Sequence, residues 1–256
     1  MRHLTFIAAL IISIAAFGQD SLKQKTISTV FKRLLFGVNI SPDYCYRTLK
    51  NNDGSASSSA IIDLRDKNEV AKLGNTAGIN VCYNFSNHLG IEAGVQYSNK
   101  GYAYKNSGLI YGDLIGPRYG FVYTNSTTAL SLAKIIYNHI YLDIPVRAIF
   151  SFGEKRIHFV ASVGVTTNIL LKATQTIVIE FSNGDTKCET NDQQYNFKSF
   201  NFSPTISAGI DYKISNKINL RVEPTYRYGS LKIIDAPIVA YLWTAGLNIT
   251  GYYTLK

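Results

Sequence analysis

The side chains able to do chemistry in this chain recur at every second position. In INLRVEPTYRY (218–228), Arg221, Glu223 and Arg227 share one parity with Asn219 and Thr225, while Ile218, Leu220, Val222, Pro224, Tyr226 and Tyr228 hold the other. This is the period of a β-strand with one charged and one apolar face. In other alternating segments the charged parity carries Asp43, Glu92, Asp143 and Asp211 with Arg147 and Lys213, among Ser, Thr, Asn and Gly. Carboxylates and cations interleaved in this way suit an ion-pair network. What that network does depends on which face meets water. In a soluble sandwich the charges look outward, whereas in a transmembrane barrel they point into the lumen and the apolar row meets lipid.

Acid–base or nucleophilic catalysis would need a further grouping. Of the four histidines, His3 falls in the amino-terminal leader, and His88 and His158 fall at short turns. His139 stands at the opposite strand ends, where a lipid A-modifying barrel enzyme would hold its base. No Ser follows it in an H-x-S arrangement, so a nucleophile would have to come from Ser126, Ser131 or another strand. No catalytic residue is assigned, and no enzyme activity is expected. The three cysteines form no CxxC and no His/Cys group at metal-ligand spacing, so no metal and no cofactor is expected. Cys45 and Cys82 would lie at opposite ends of adjacent strands, too far apart to bridge. That leaves Cys188, in a loop, as the candidate partner of Cys45.

Eight segments supply the strands: 34–46, 73–85, 89–104, 136–152, 157–173, 200–214, 218–228 and 240–253. Their connections alternate in length. SNH (86–88), GEKR (153–156) and SNK (215–217) are tight polar turns, and between them run long connections at 47–72, 105–135, 174–199 and 229–239. An up-and-down barrel with short periplasmic turns and long external loops does this, and a Greek-key sandwich has no reason to. A further hairpin within 105–136 would raise the strand count. The first long connection contains NNDGSASSSA, a Gly/Ser-rich stretch expected to be mobile. In the third, strands are expected to continue as a hairpin about Asn183–Gly184. Pro42, Pro145, Pro204 and Pro224 fall inside strands, where a closed barrel would have to place bulges.

The apolar parity runs uncharged through Ile79, Val81, Ile91, Val95, Ile144, Val146, Val163, Val165, Ile206, Ile210, Leu247 and Ile249. Aromatic residues gather at both strand ends: Tyr97, Tyr102, Tyr226, Tyr228 and Trp243 beside long loops, Phe150, Tyr212 and Tyr252 beside short turns. Two interfacial girdles require that placement. The expected fold is therefore all-β, an eight-stranded antiparallel up-and-down transmembrane barrel over 34–256. Glu92, Asp143, Arg147, Asp211, Arg221, Glu223 and Arg227 form its lumenal ion pairs, since an unpaired charge in so narrow an interior is costly.

MRHLTFIAALIISIAAFGQD reads as a secretory signal peptide (1–18), with a basic start, an apolar run too short to span a bilayer, and Ala16 and Gly18 placed for cleavage. A periplasmic segment (19–33) follows. The net charge of +9 is spread along the chain, which in an exported protein favours membrane lipid and lipopolysaccharide as partners and excludes nucleic acid.

The segment IYLDIPVRAIFSFGEKRIHFVASVGVTTNILL (140–171) resembles the central hairpin of PorT-like outer-membrane β-barrel proteins of Bacteroidetes, with Asp143 where Glu is usual. GIEAGVQYSNKGY (90–102) and AGLNITGYY (245–253) fit the same pattern. The resemblance implies an outer-membrane barrel that tolerates Pro145. It also implies other envelope proteins as partners, the family's namesake being an accessory of type IX protein secretion.

Overall fold

The computed structural model describes residues 33–107, 115–116, 120–121, 130–153, 156–181, 184–193 and 195–255. The expected signal peptide (1–18) and all but Arg33 of the segment after it lie outside the described residues, as do Ser126 and the turn residue Asn183.

Eight strands form a ring: β1 (Leu34–Asn51), β2 (Lys72–Asn84), β3 (Leu89–Ser107), β4 (Leu130–Phe152), β5 (Ile157–Phe181), β6 (Phe200–Lys213), β7 (Ile218–Tyr228) and β8 (Ile238–Thr254). Each pairs antiparallel with the next, and β8 pairs with β1 from Leu35↔Thr254 to Asn51↔Ile238, so the ring has no edge. Among the described residues, Ile115–Gly116 and Gly120–Phe121 pair only with each other. The strand count of the barrel is therefore eight.

Several strands run further than the alternation indicates, β1, β3, β4 and β5 most of all, at the long-connection end. β4 begins at Leu130 and β5 continues to Phe181, paired as far as Leu130↔Phe181. The β-branched run TIVI (176–179) favours this extension. A strand at Thr186–Asp192 folds back onto it, Thr174↔Asp192 to Glu180↔Thr186, after a turn in which Gly184 takes φ +90°. This strand does not lead straight into β6; residues 193–199 intervene.

The first long connection holds a helix, α1 (Ala56–Asn68), where a mobile stretch was expected. Ser55 caps it, its Oγ accepting from the Ser58 backbone N–H at 3.1 Å. Arg65 and Lys67 occupy the last turn, the favourable end for cations. Its docking is a tertiary matter that propensity does not reveal.

The expected bulges at prolines are corrected. Between β1 and β8 the ladder stops at Ile40↔Ile249 and resumes at Asp43↔Gly246, skipping two residues on each strand without a change of register beside Pro42. The same occurs beside Pro145 between β3 and β4, from Ala93↔Val146 to Gln96↔Asp143. It recurs beside Pro224 between β6 and β7, from Ser207↔Thr225 to Ile210↔Val222. Pro204 lies just beyond the β6–β7 ladder, which begins at Thr205↔Arg227. In an antiparallel sheet a residue directs both its N–H and C=O at one neighbour. A proline therefore weakens one ladder and leaves the other intact: Pro42 still pairs with Asn75, Pro145 with Thr166, Pro204 with Val165 and Pro224 with Leu247.

The two parities separate cleanly. Val38, Ile40, Ile79, Val95, Val146, Val163, Val165, Ile206, Ile210 and Leu247 are exposed on the outer wall, while Asn39, Asp43, Thr76, Asn80, Glu92, Asp143, Arg147, Thr166, Asp211, Arg221 and Glu223 are buried inside. The interior is layered. Leu35, Cys82, Ile149, Val160 and Tyr252 form an apolar floor at the short-turn end, and Tyr102, Tyr141, Ile233, Ala240 and Leu242 form an apolar plug at the other. Polar and charged side chains fill the space between. Glycine makes room for some of them: a Cβ at Gly246 would lie 1.8 Å from Asp43 Oδ1, and one at Gly37 would lie 2.8 Å from the Tyr252 ring.

Candidate functional site

Inside the barrel the charges fall into two tiers. In the tier nearer the short turns, Glu92 of β3 accepts hydrogen bonds from Arg147 of β4, Arg221 of β7 and the Tyr252 hydroxyl of β8. Arg221 also donates to Asp211 Oδ2 through Nε at 3.1 Å and Nη2 at 3.0 Å, and its guanidinium lies 4.5 Å from the Tyr252 ring centroid. Glu223 takes a hydrogen bond from Ser207 Oγ at 2.9 Å and sits 3.6 Å from Arg147. These strands come from opposite sides of the ring, so the side chains span the lumen.

Asp143 and Arg227 belong to a separate tier. Asp143 pairs with Lys100 at 2.8 Å and accepts from Asn168 at 2.6 Å. Arg227 lies 3.5 Å from Asp43, which also accepts from Ser41 at 2.7 Å and Thr76 at 2.5 Å. The sequence suggested one network of seven residues; the structure has two groups, with Lys100 and Asp43 supplying the missing partners. Tyr252 is corrected as well. It is not an interfacial residue but fully buried, because even positions of β8 face inward at that end. Its parity with Asn248 and Thr250 was the available signal.

The outer wall carries the expected aromatic residues. Tyr97, Phe150, Tyr212 and Tyr226 are exposed. Trp243 is half-buried among Tyr44, Tyr46 and Tyr226, with ring centroids 6.0 Å away in each case. Tyr228 stacks on Tyr241 at 6.5 Å. Tyr102 is the second correction. It turns into the mouth, where its hydroxyl accepts from Arg65 of α1 at 3.3 Å.

With an apolar exterior, a charged interior and a closed ring described, the match of residues 17–232 to the outer membrane protein beta-barrel domain model is decisive. The chain belongs to that family. A comparison with curated proteins found no match. Among solved structures this outer-membrane barrel is similar to Ail, the attachment invasion locus protein of Yersinia pestis, at 10% identity over 86% of this chain and 99% of that one, with a TM-score of 0.35. It is also similar to the outer membrane protein OprG from Pseudomonas aeruginosa, at 13% identity over 86% and 95% with a TM-score of 0.36. The outer membrane protease OmpT from Escherichia coli is another such structure, at 12% identity over 87% and 95% with a TM-score of 0.28.

At the mouth of the barrel, Arg47 of β1 reaches up to Asp66 of α1 and to Glu69, the latter at 2.6 Å. Arg65 binds the other oxygen of Glu69 at 2.6 Å. These pairs hold α1 against the rim. The remaining long connections bring in Phe197 and Ile234, which bridge to each other and pack on the apolar plug. On the rim surface, Asp235 is held below the ordinary carboxylate range by hydrogen bonds from Lys198 and Lys232.

His139 is not at an open rim. It is buried between Tyr102, at 6.5 Å, and Phe197, at 5.1 Å, and neither ring nitrogen has a hydrogen-bond partner among the described residues. Among the described residues no group of three or more His, Cys, Asp or Glu could hold a metal ion. The proposed partner of Cys45 is also corrected: Cys45 is buried in the barrel, Cys188 is exposed on the return strand, and both are free thiols.

Proposed function

We propose that this chain is a non-enzymatic barrel of the outer membrane that works through its external rim and loops. Passage through the lumen plays no part in this function. One observation carries the proposal. Glu92, Arg147 and Arg221 meet across the barrel between apolar clusters at either end, so among the described residues side chains fill the lumen. The investment of structure at the long-connection end supports the same view: a helix docked through ion pairs to the buried Arg47, and a hairpin reaching to Phe181. The burial of His139 against aromatic rings, away from water, supports the absence of enzyme activity. The leader at 1–18 would deliver the chain to the periplasm, from which it inserts. Kinship with PorT-like barrels rests on 140–171, the hairpin of β4 and β5. A role beside other envelope proteins would use the same exposed loops.

The test combines conductance with surface proteolysis. The purified barrel in a planar bilayer is expected to show no stable channel. Protease added to intact cells should cut within 52–68 or 182–199 and spare 86–88 and 215–217. A steady single-channel conductance, or cleavage confined to the short turns, would overturn the proposal.

A further inference from the structure

Two concavities lie one above the other on the outer wall between β6 and β1. The lower is a groove of ≈ 660 Å³ whose floor includes the small outward side chains of Ala208 and Ala245 and whose lining also takes in Pro42, Pro224, Tyr44, Tyr226 and Leu73. It runs over the stretches where Pro42 and Pro224 interrupt the ladders. The upper opens at the rim with a volume of ≈ 530 Å³. Phe200, Leu231 and Tyr241 make its apolar side, and Lys198 and Lys232 its charged side.

An aromatic belt joins them. Trp243 stands between Tyr44 and Tyr226, and Tyr228 stacks on Tyr241 above it. On β8, Tyr241, Trp243, Ala245 and Leu247 are successive positions of the same outward parity. At ~3.3 Å per residue the column is roughly 20 Å long along the strand, or about 15 Å along the membrane normal for a strand tilted ~40°, about a third of a ~40–45 Å bilayer with its headgroups. The top of the column is basic. Lys232 Nζ is 2.5 Å from Asp235, and Lys198 pairs with the same carboxylate. Lys50 Nζ lies 5.0 Å from the Tyr241 ring centroid. Lys198 and Lys232 share the Asp235 carboxylate and Lys50 adds a third ammonium over the Tyr241 ring, so three cations stand beside one carboxylate at the head of an apolar groove.

We infer that this column binds one molecule of lipopolysaccharide. The lipid A phosphates sit at Lys50, Lys198 and Lys232, and one acyl chain lies in the groove below Trp243. The inference rests on the preceding proposal in one respect, that the long-connection end faces outward, where this glycolipid forms the leaflet. A hydrocarbon chain in the groove exchanges with any lipid at little gain. Selectivity therefore comes from the headgroup, and two unbalanced cations fit two phosphates better than the single phosphate of a phospholipid.

Trp243 is the single tryptophan of the chain and reports on the site directly. The full-length barrel in phosphatidylcholine nanodiscs would be titrated with bis-phosphorylated lipid A, monophosphoryl lipid A and phosphatidylglycerol while its emission is followed. Bis-phosphorylated lipid A should give a saturable change at the lowest concentration. The K198E/K232E double variant should raise that half-saturation by at least ~10-fold, with about a factor of five from each charge near the surface. Ala245→Phe, which fills the groove from the barrel wall, should diminish the emission change. Equal half-saturation for phosphatidylglycerol, or a lipid A response indifferent to K198E/K232E, would overturn the inference. Heat-modifiable migration on a gel, read on every sample, separates this outcome from failure of the barrel assignment: loss of the fast-running band in the unsubstituted protein would refute the barrel itself.

Discussion

Glu92 and Arg221 are 129 residues apart in sequence and stand on strands four places apart in a ring of eight, yet Arg221 Nη1 lies 3.4 Å from Glu92 Oε2. The two side chains meet across the full width of the barrel. Their contact is possible because an eight-stranded barrel is only wide enough for side chains to fill. Glu92 is the carboxylate on which Arg147, Arg221 and Tyr252 converge. Glu92→Ala should therefore destabilise the barrel by about 3–5 kcal/mol, the usual cost of leaving a buried charge without its partner. Glu92→Gln, which retains an acceptor, should cost less. Urea unfolding in lipid or detergent, followed by far-ultraviolet circular dichroism, measures both; an unchanged midpoint for Glu92→Ala would place the charged face in water.

Val222 tests the opposite face of the same strand. It lies between Ile210 and Ile249 on the outer wall, and Val222→Arg should cost ~2–4 kcal/mol in a bilayer. Glu223→Ala, one residue on and facing inward, should cost about 3–5 kcal/mol. Harmless outcomes for both would refute the face assignment.

Gly246 tests the upper tier. A methyl group there would lie 1.8 Å from Asp43 Oδ1, so Gly246→Ala should displace that carboxylate from Arg227 and cost about 1–3 kcal/mol through overpacking. An equilibrium unfolding curve that superimposes on that of the unsubstituted protein would show that Asp43 has another place to go.

Arg47 tests the docking of α1. Arg47→Ala removes the pairs to Asp66 and Glu69 and should free the helix without opening the ring. Trypsin cleavage after Arg65 or Lys67 should accelerate at least about tenfold, the effect of some 1.4 kcal/mol on the open population. Limited proteolysis with mass detection provides the rate, and an unchanged rate would mean that α1 is held by other contacts.

His139 tests the absence of chemistry. His139→Ala should leave the lipid A profile of the cell unchanged, because the imidazole is enclosed by Tyr102 and Phe197 and neither ring nitrogen is hydrogen-bonded to a nucleophile among the described residues. An altered acylation pattern with the barrel still folded would make this protein an enzyme.

The sequence alone determined everything that depends on the next two residues. Period-two alternation marked eight strands and their faces, the short turns SNH and SNK marked which ends are joined tightly, and the uncharged outer parity marked a lipid-facing wall. For that reason β7 matches its expected bounds and the ring closes as expected. What lay beyond local pattern was decided by the tertiary structure. Parity says that Asp143 and Arg227 point inward, but the strand register, which long-range pairing sets, gave Lys100 to one and Asp43 to the other. Tyr252 looked interfacial because it ends a strand; only the convergence of β3 and β7 across the lumen placed Glu92 and Arg221 around its hydroxyl. The prolines needed no bulges because each faces its missing donor toward one neighbour, a fact of sheet geometry that the sequence does not carry. α1 has weak amphipathic patterning in a Ser-rich stretch, and it is held by Arg47 and Glu69, which become neighbours only when the barrel mouth forms. Faces are local and were legible in the sequence. Partners are non-local, and the closed ring alone chose them.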